Sequence, residues 1–380
     1  MNEILPLVRS KQNELIAFLR ELVECESPSD DPAAIVRFAD VFETRVADIA
    51  KVKRVKGGKF GPHLQCEFEL PGSSRKKAQI LALGHSDTVY PLGILARMPF
   101  SIRDGRIWGP GVLDMKGGVA FFVYAMRVLR ELDIPVQRKV LLQLNSDEEV
   151  GSDSSRALTE KEARRSVAVL VLEPGQGLDG AAKTARKGVG DYTVVVKGKP
   201  AHAGVDFQSG ASAILELARQ IEKIAEFTDL KKGLTVNPGV IAGGTRTNVI
   251  AAEARAEVDI RIARMKDAAG LDKKFQSLKP FDKRCAIEVT GGLNRPPMER
   301  TAGVVGLYKT ARKLAAEMGV DLQELGTGGG SDGNFTAALG VPTLDGIGAV
   351  GEGAHAPTES ILVDRIADRT ALLAKLVASL

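Results

Sequence analysis

Leu15, Leu19 and Leu22 recur at the spacing of one helix face, and Leu64, Cys66, Phe68 and Leu70 alternate with Gln65, Glu67 and Glu69 as a half-exposed strand does. Three short apolar runs follow, at residues 80–83, 140–144 and 167–172, each closing in a cluster of polar residues. Runs this short, separated by helical patterns such as that of residues 119–132, are the buried strands of an α/β sheet. From about Gly188 to Leu293 the pattern changes to strand 192–196, helix 211–227, strands near 234–241 and 254–262, helix 266–278 and strand 285–289. That β-α-β-β-α-β order is the split βαβ arrangement of a ferredoxin-like unit. Arg295-Pro296-Pro297 closes it, because prolines continue neither helix nor strand. A helix at 302–318, a glycine-rich loop, a strand at 341–344 and a last helix from Asp364 then resume the α/β style. The expected fold is a mixed-sheet α/β domain in two parts, residues 1–187 and 295–380, with an α+β unit, 188–294, inserted between them.

Length supports the division. At 380 residues and 44% hydrophobic content the chain exceeds what one core usually reaches before splitting. Lys and Arg number 52 against 48 Asp and Glu, a net charge of +4 with no long basic run, which argues against a nucleic-acid footprint. No apolar stretch approaches the roughly 20 residues that span a bilayer, and residues 1–11 lack the apolar segment of a signal peptide, so a cytoplasmic protein is expected. Cys25, Cys66 and Cys285 lie far apart, without the close spacing of a thiolate metal site or redox dithiol, and read as reduced and structural.

The chemistry is carried by acids and imidazoles at strand ends. There are four histidines, His63, His85, His202 and His355. His85, in Gly84-His85-Ser86-Asp87-Thr88, ends an apolar strand, where open α/β sheets place ligands. It suits a metal ligand with Asp87 orienting its ring, although a capping aspartate beside a surface histidine explains the tripeptide equally well. Asp114, in Gly111-Val112-Leu113-Asp114-Met115-Lys116-Gly117-Gly118, opens a helix and is either an N-cap or a carboxylate spanning two ions ~3.5–4 Å apart. Asp147-Glu148-Glu149 follows the second apolar run. Three acids at a buried strand's end are costly unless cations neutralise them, and one glutamate can ligate while its neighbour acts as general base. Leu172-Glu173-Pro174 and Gly353-Ala354-His355-Ala356-Pro357 complete a set of O and N donors of the kind zinc accepts. Gly346-Ile347-Gly348-Ala349-Val350-Gly351 matches a dinucleotide fingerprint in spelling only, since Glu352 to Pro357 cannot form the helix that cradles a pyrophosphate.

Taken together, these motifs make the chain similar, over nearly its whole length, to the zinc aminoacylase and carboxypeptidase superfamily, which includes acetylornithine deacetylase, succinyl-diaminopimelate desuccinylase and glutamate carboxypeptidase. The resemblance implies a zinc exopeptidase-like catalytic domain holding two zinc ions per subunit, with cobalt or manganese as substitutes, and an inserted lid and dimerisation domain. His85 and Glu173 would bind one ion, Glu149 and His355 the other, and Asp114 would bridge them. Glu148 would be the general base and Asp87 the partner of His85. In the insertion, His202 of Lys199-Pro200-Ala201-His202-Ala203-Gly204 matches the histidine that polarises the scissile carbonyl, often across a homodimer. Asn248 and Arg261 match substrate-gripping positions, Arg261 suiting a carboxylate through its planar fork. The loop Gly326-Thr327-Gly328-Gly329-Gly330-Ser331-Asp332-Gly333-Asn334 reads alone as a linker or an anion-binding nest. By resemblance, Gly329, Gly330 and Ser331 face the substrate carboxylate. The implied substrate is a small peptide or N-acyl amino acid. Ser-Asp-Glu-Glu, Leu-Glu-Pro and Thr-Gly-Gly-Gly-Ser-Asp look most like glutamate carboxypeptidases, with N-acyl amino acid deacylase and dipeptidase as alternatives and a non-catalytic carboxylate binder as a remoter one. The lysine that receives a glutamate side chain in that type aligns with Ala181 here, leaving Lys183, Arg186 or Lys187 as replacements.

Overall fold

The structure is a computed structural model that describes residues 1–72 and 78–380. These form two compact units, one of residues 1–185, 300–327 and 331–380, the other of residues 186–299 with Gly328–Gly330. The first unit is built on a six-stranded sheet in the order Ala50–Val55, His63–Phe68, Lys139–Asn145, Gln79–His85, Ser166–Val171 and Thr343–Leu344. The first two pairings are antiparallel and the other three parallel.

The apolar runs lack alternation because both sheet faces are covered. Ile80, Ala82, Leu142, Leu144, Ala168 and Leu170 pack into one core with helices Gly117–Glu131 and Ile366–Ser379, whereas Leu81, Leu83, Val169 and Val171 enter a second core with Ala163. His63–Phe68 was expected to be half exposed, and only Glu67 is. Lying between two neighbours, the strand has a covered second face, where the Gln65 amide faces Gln143 at 3.5 Å.

Parallel pairing decides where chemistry can occur. His85 stands in register with Asn145, and Leu83 with Val171, so the segments that follow all three strands leave the sheet at one edge. Helix Gly117–Glu131 starts at that edge and packs very close to Leu172: a Cβ on Gly118 would lie 2.0 Å from the Leu172 carbonyl oxygen, so only glycine fits. A four-stranded sheet that the periodicity does not reveal, Gly351–Glu352, Ser360–Leu362, Arg106–Trp108 and Ser101–Arg103, carries His355 in the turn between its first two strands. Strands of two or three residues are too short to show alternation.

The second unit is a fully antiparallel sheet, Thr235–Gly243, Glu253–Ile262, Gly188–Lys197 and Ala286–Arg295, with helices Ala213–Ala225 and Ala268–Gln276. Numbered along the chain, that order is 2-3-1-4, the ferredoxin-like arrangement. Its own core contains Tyr192 stacked on Phe275 at 3.9 Å between centroids. The unit begins before Gly188 and runs beyond Leu293 because Arg186 and Met298 exchange backbone hydrogen bonds at 3.0 Å as the two connections leave it. No helix among the described residues is long and apolar enough to cross a membrane.

Candidate metal centre

His85, the last residue of its strand, is 1% exposed. Its Nδ1 lies 2.9 Å from the Asp87 carbonyl oxygen, which only accepts, so Nδ1 carries a hydrogen and Nε2 is turned inward. That Nε2 lies 3.2 Å from Asp114 Oδ1 and 3.7 Å from Glu173 Oε1. On the other side, His355 Nε2 lies 3.3 Å from Asp114 Oδ2 and 3.2 Å from Glu149 Oε2. The Asp114 carboxylate therefore stands between two half-sites, each of one imidazole and one glutamate. Glu148 joins His85 and Glu173 in a group whose ligand atoms are within 4.8 Å of one another, as do Asp114 and Glu149 with His85.

Lone pairs and carboxylates facing one another call for positive charge. Burial opposes protonation of His85, yet the Asp114 hydrogen bond and the charges of Asp87, Glu148 and Glu149 raise its pKa well above the ordinary range. Hydrogen bonds to Asp114 and Glu149 push His355 up to about 10 despite some desolvation. Burial would raise Asp114, but its bonds to His355 and His85 hold it far below a usual carboxylate. Divalent cations in place of those protons satisfy the same imbalance. Glu149 Oε1, buried and without a hydrogen-bond partner among the described residues, is a further donor that fits a cation. The mixed carboxylate and imidazole donor set suits zinc.

Asp87 holds a different place from the one expected. The ring of His85 is oriented by the Asp87 backbone carbonyl, while the carboxylate Oδ1 is 3.5 Å from Nδ1. The buried carboxylate instead accepts from Ser29 Oγ at 2.7 Å and from the N–H groups of Glu148 and Glu149 at 3.3 and 3.2 Å. It thus fixes the loop that presents both glutamates, and burial lifts its own pKa to about 6.

In the second unit, His202 and Asn248 lie on adjoining segments, joined where the Ala203 N–H donates to the Asn248 carbonyl at 2.9 Å. His202 Nδ1 accepts from Gly204 and Val205 N–H at 3.1 and 3.2 Å, which places the ring hydrogen on the exposed Nε2. Arg261 is held by Asp259 through Nε and Nη2 at 3.0 and 2.8 Å, with Nη1 3.4 Å from the Gly328 carbonyl. Arg186 donates to the Gly329 and Gly330 carbonyls at 3.2 and 3.0 Å. Ser331 departs from the expected substrate contact. It is fully buried, its hydroxyl donates to Asp345 at 2.6 Å and its N–H to Asn334 at 2.9 Å, so it anchors the loop from within.

Two residues of the site escaped sequence reasoning. Glu359, 1% exposed, accepts from Gly111, Leu113 and Asp114 N–H at 3.0, 2.8 and 3.0 Å. Tyr90 donates to it at 2.7 Å. An acid four residues after His355 carries no periodic signal, and its partners are backbone groups that no side-chain pattern reveals.

Residues 81–379 match the family model described as "Peptidase family M20/M25/M40". The chain belongs to this peptidase family. Carboxypeptidase G2 of Pseudomonas sp. (strain RS-16) is 28% identical over 386 residues, covering 100% of this chain and 92% of that protein. Acetylornithine deacetylase of Myxococcus xanthus is 32% identical over 202 residues, 50% of this chain and 51% of that one. Among solved structures, aminopeptidase PepT from Bacillus cereus superposes with a TM-score of 0.78 at 25% identity, covering 97% of this chain and 98% of that chain. As a member of the M20/M25/M40 family the protein is a metallopeptidase, and the carboxylates and imidazoles at the sheet edge are its candidate metal ligands.

Proposed function

We propose that the protein is a two-zinc hydrolase of the glutamate carboxypeptidase type, cleaving an amide bond next to a free carboxylate. The observation that carries this reading is Asp114, whose two carboxylate oxygens each face a separate imidazole and glutamate pair. His85 and Glu173 would hold one ion, His355 and Glu149 the other. Zinc bound there supplies the Lewis acidity that makes water nucleophilic at neutral pH and polarises an amide carbonyl.

The chain's own residues do the rest. Glu148 takes the proton of the attacking water and returns it to the leaving amine. His202, contributed within the chain or by a second copy, offers Nε2–H to the carbonyl oxygen as negative charge develops there. Arg261, Asn248 and the Gly329–Gly330 amides grip the carboxylate of the released amino acid. Full-length similarity to carboxypeptidase G2 supports the carboxypeptidase assignment, and the half-length match to acetylornithine deacetylase supports an N-acyl amino acid deacylase as the second reading. Ala181, which aligns with the glutamate-binding lysine of that type, is buried and uncharged, which favours a leaving amino acid less strictly acidic than glutamate.

Metal analysis should give two zinc ions per chain, and a panel of N-acyl amino acids and dipeptides should be hydrolysed only with a free α-carboxylate. Equal turnover of the carboxamide-capped analogues would end the proposal.

The inserted unit is also read as the dimer contact. Strand Thr235–Gly243 is an open sheet edge on which Val240 and Ile241 are 57% and 58% exposed, and the same unit exposes Phe207 and Leu215. Open apolar edges template pairing with another strand, and a second copy meets this one through a two-fold axis. Ile241→Asp should convert a dimer to a monomer in light scattering, and a wild-type protein that is already monomeric would refute this contact.

A further inference from the structure

The segments that carry the expected ligands are far apart in sequence, and one pair of side chains joins three of them. Tyr90 lies five residues after His85, and its hydroxyl is 3.0 Å from the Ala356 carbonyl and 2.7 Å from Glu359 Oε2. Glu359 Oε2 also accepts from Gly111 N–H, and Oε1 from the N–H groups of Leu113 and Asp114. Around Asp114 the backbone leaves helical geometry, with φ −116° and ψ 93° at Asp114 itself and φ 71° at Gly111. The amides of Gly111, Leu113 and Asp114 precede helix Gly117–Glu131, and a single buried carboxylate accepts from all three. His355 sits next to Ala356 with φ 62°, a left-handed conformation uncommon outside glycine. It is confined on its C-terminal side by the same phenol.

We propose that Glu359 and Tyr90 are positioning residues for the cation shared by Asp114, Glu149 and His355, locking the bridging carboxylate and the His355 turn in one geometry. The inference rests on the reading of those three residues as ligands. Neither Glu359 nor Tyr90 need touch metal or substrate. Each acts through backbone groups whose placement sets where the Asp114 oxygens and the His355 ring lie. Residues that orient metal ligands typically cost about 10–100-fold in metal affinity or activity when changed.

The test uses Tyr90→Phe, which deletes one hydroxyl and keeps the ring, and Glu359→Gln. A glutamine can still accept from Leu113 and Asp114, but its amino group then meets the Gly111 N–H, donor against donor. Zinc affinity is measured by chelator competition on the full chain, and unfolding is followed with zinc-free protein. The expected result is two zinc ions on the wild type and, in both variants, one ion weakened about 10–100-fold. The other ion should be less affected, kcat should fall at nearly unchanged KM, and the zinc-dependent rise in Tm should shrink. A purely structural pair would lower the zinc-free Tm and leave the affinities alone, and that outcome overturns the proposal. Fewer than two zinc ions on the wild type overturns the ligand reading beneath it, a failure distinct from two ions bound with unaltered affinity in the variants.

Discussion

Glu148→Ala lowers kcat by roughly 10²–10⁴-fold, the usual contribution of a general base, with zinc content unchanged. The expectation follows from how one loop splits two adjacent acids. Asp87 accepts from the N–H groups of both Glu148 and Glu149, one on each carboxylate oxygen. With the backbone so held, the Glu149 carboxylate reaches His355 at 3.2 Å, while that of Glu148 stands with His85 and Glu173. In the proposed mechanism one acid is spent on a cation and the other is left for proton transfer. Removing the ligand Glu149 should cost metal, and removing Glu148 should cost turnover alone. Product assays and metal analysis on the same preparation separate these, and near-wild-type kcat in Glu148→Ala would refute the base assignment.

What the sequence could disclose followed from period and from strand ends. Fully apolar runs announced buried strands of an α/β sheet, because both faces of the sheet are covered, and put His85, Glu148, Glu149 and Glu173 each at a strand end; the parallel register of the fold is what brings those ends to one edge. The change of pattern after Gly188 announced the ferredoxin-like unit, since alternation and helix spacing are each clear there. His355 was legible as a candidate donor from its segment, but not its place in the fold: it lies between strands of two and three residues, where no period develops. Glu359 and Tyr90 were invisible for another reason, as their partners are main-chain amides and carbonyls rather than complementary side chains. Asp87 stands beside His85, but it is its backbone carbonyl rather than its carboxylate that lies at hydrogen-bond distance from the ring, because a carbonyl two residues on can orient an imidazole as well as a carboxylate can. Ser331 misled in a similar way, its polar atoms turned inward to Asp345 and Asn334. Sequence pattern identifies which residues gather at a site. Which atom of each is used depends on hydrogen bonds that only the fold determines.

With two zinc ions held as proposed, Asp114→Ala should remove both, whereas His355→Ala should remove one. The asymmetry comes from the two carboxylate oxygens of Asp114, Oδ1 toward His85 and Oδ2 toward His355, so that its loss strips a ligand from each half-site together. His355 serves only the half it shares with Glu149. Its side chain is 50% exposed against 1% for His85, so an ion held by His355 would be the one more open to solvent and to a chelator. Wild-type protein should therefore release its zinc in two steps during chelator titration, His355→Ala in one, and Asp114→Ala should hold none at concentrations that saturate the wild type. Because a bound ligand stabilises the fold by RT ln(1 + [L]/Kd), added zinc should raise Tm most for the wild type, less for His355→Ala and not at all for Asp114→Ala. Retention of one tightly held zinc by Asp114→Ala would show that the carboxylate is not shared, and with it would go the proposal that a single aspartate spans two metals.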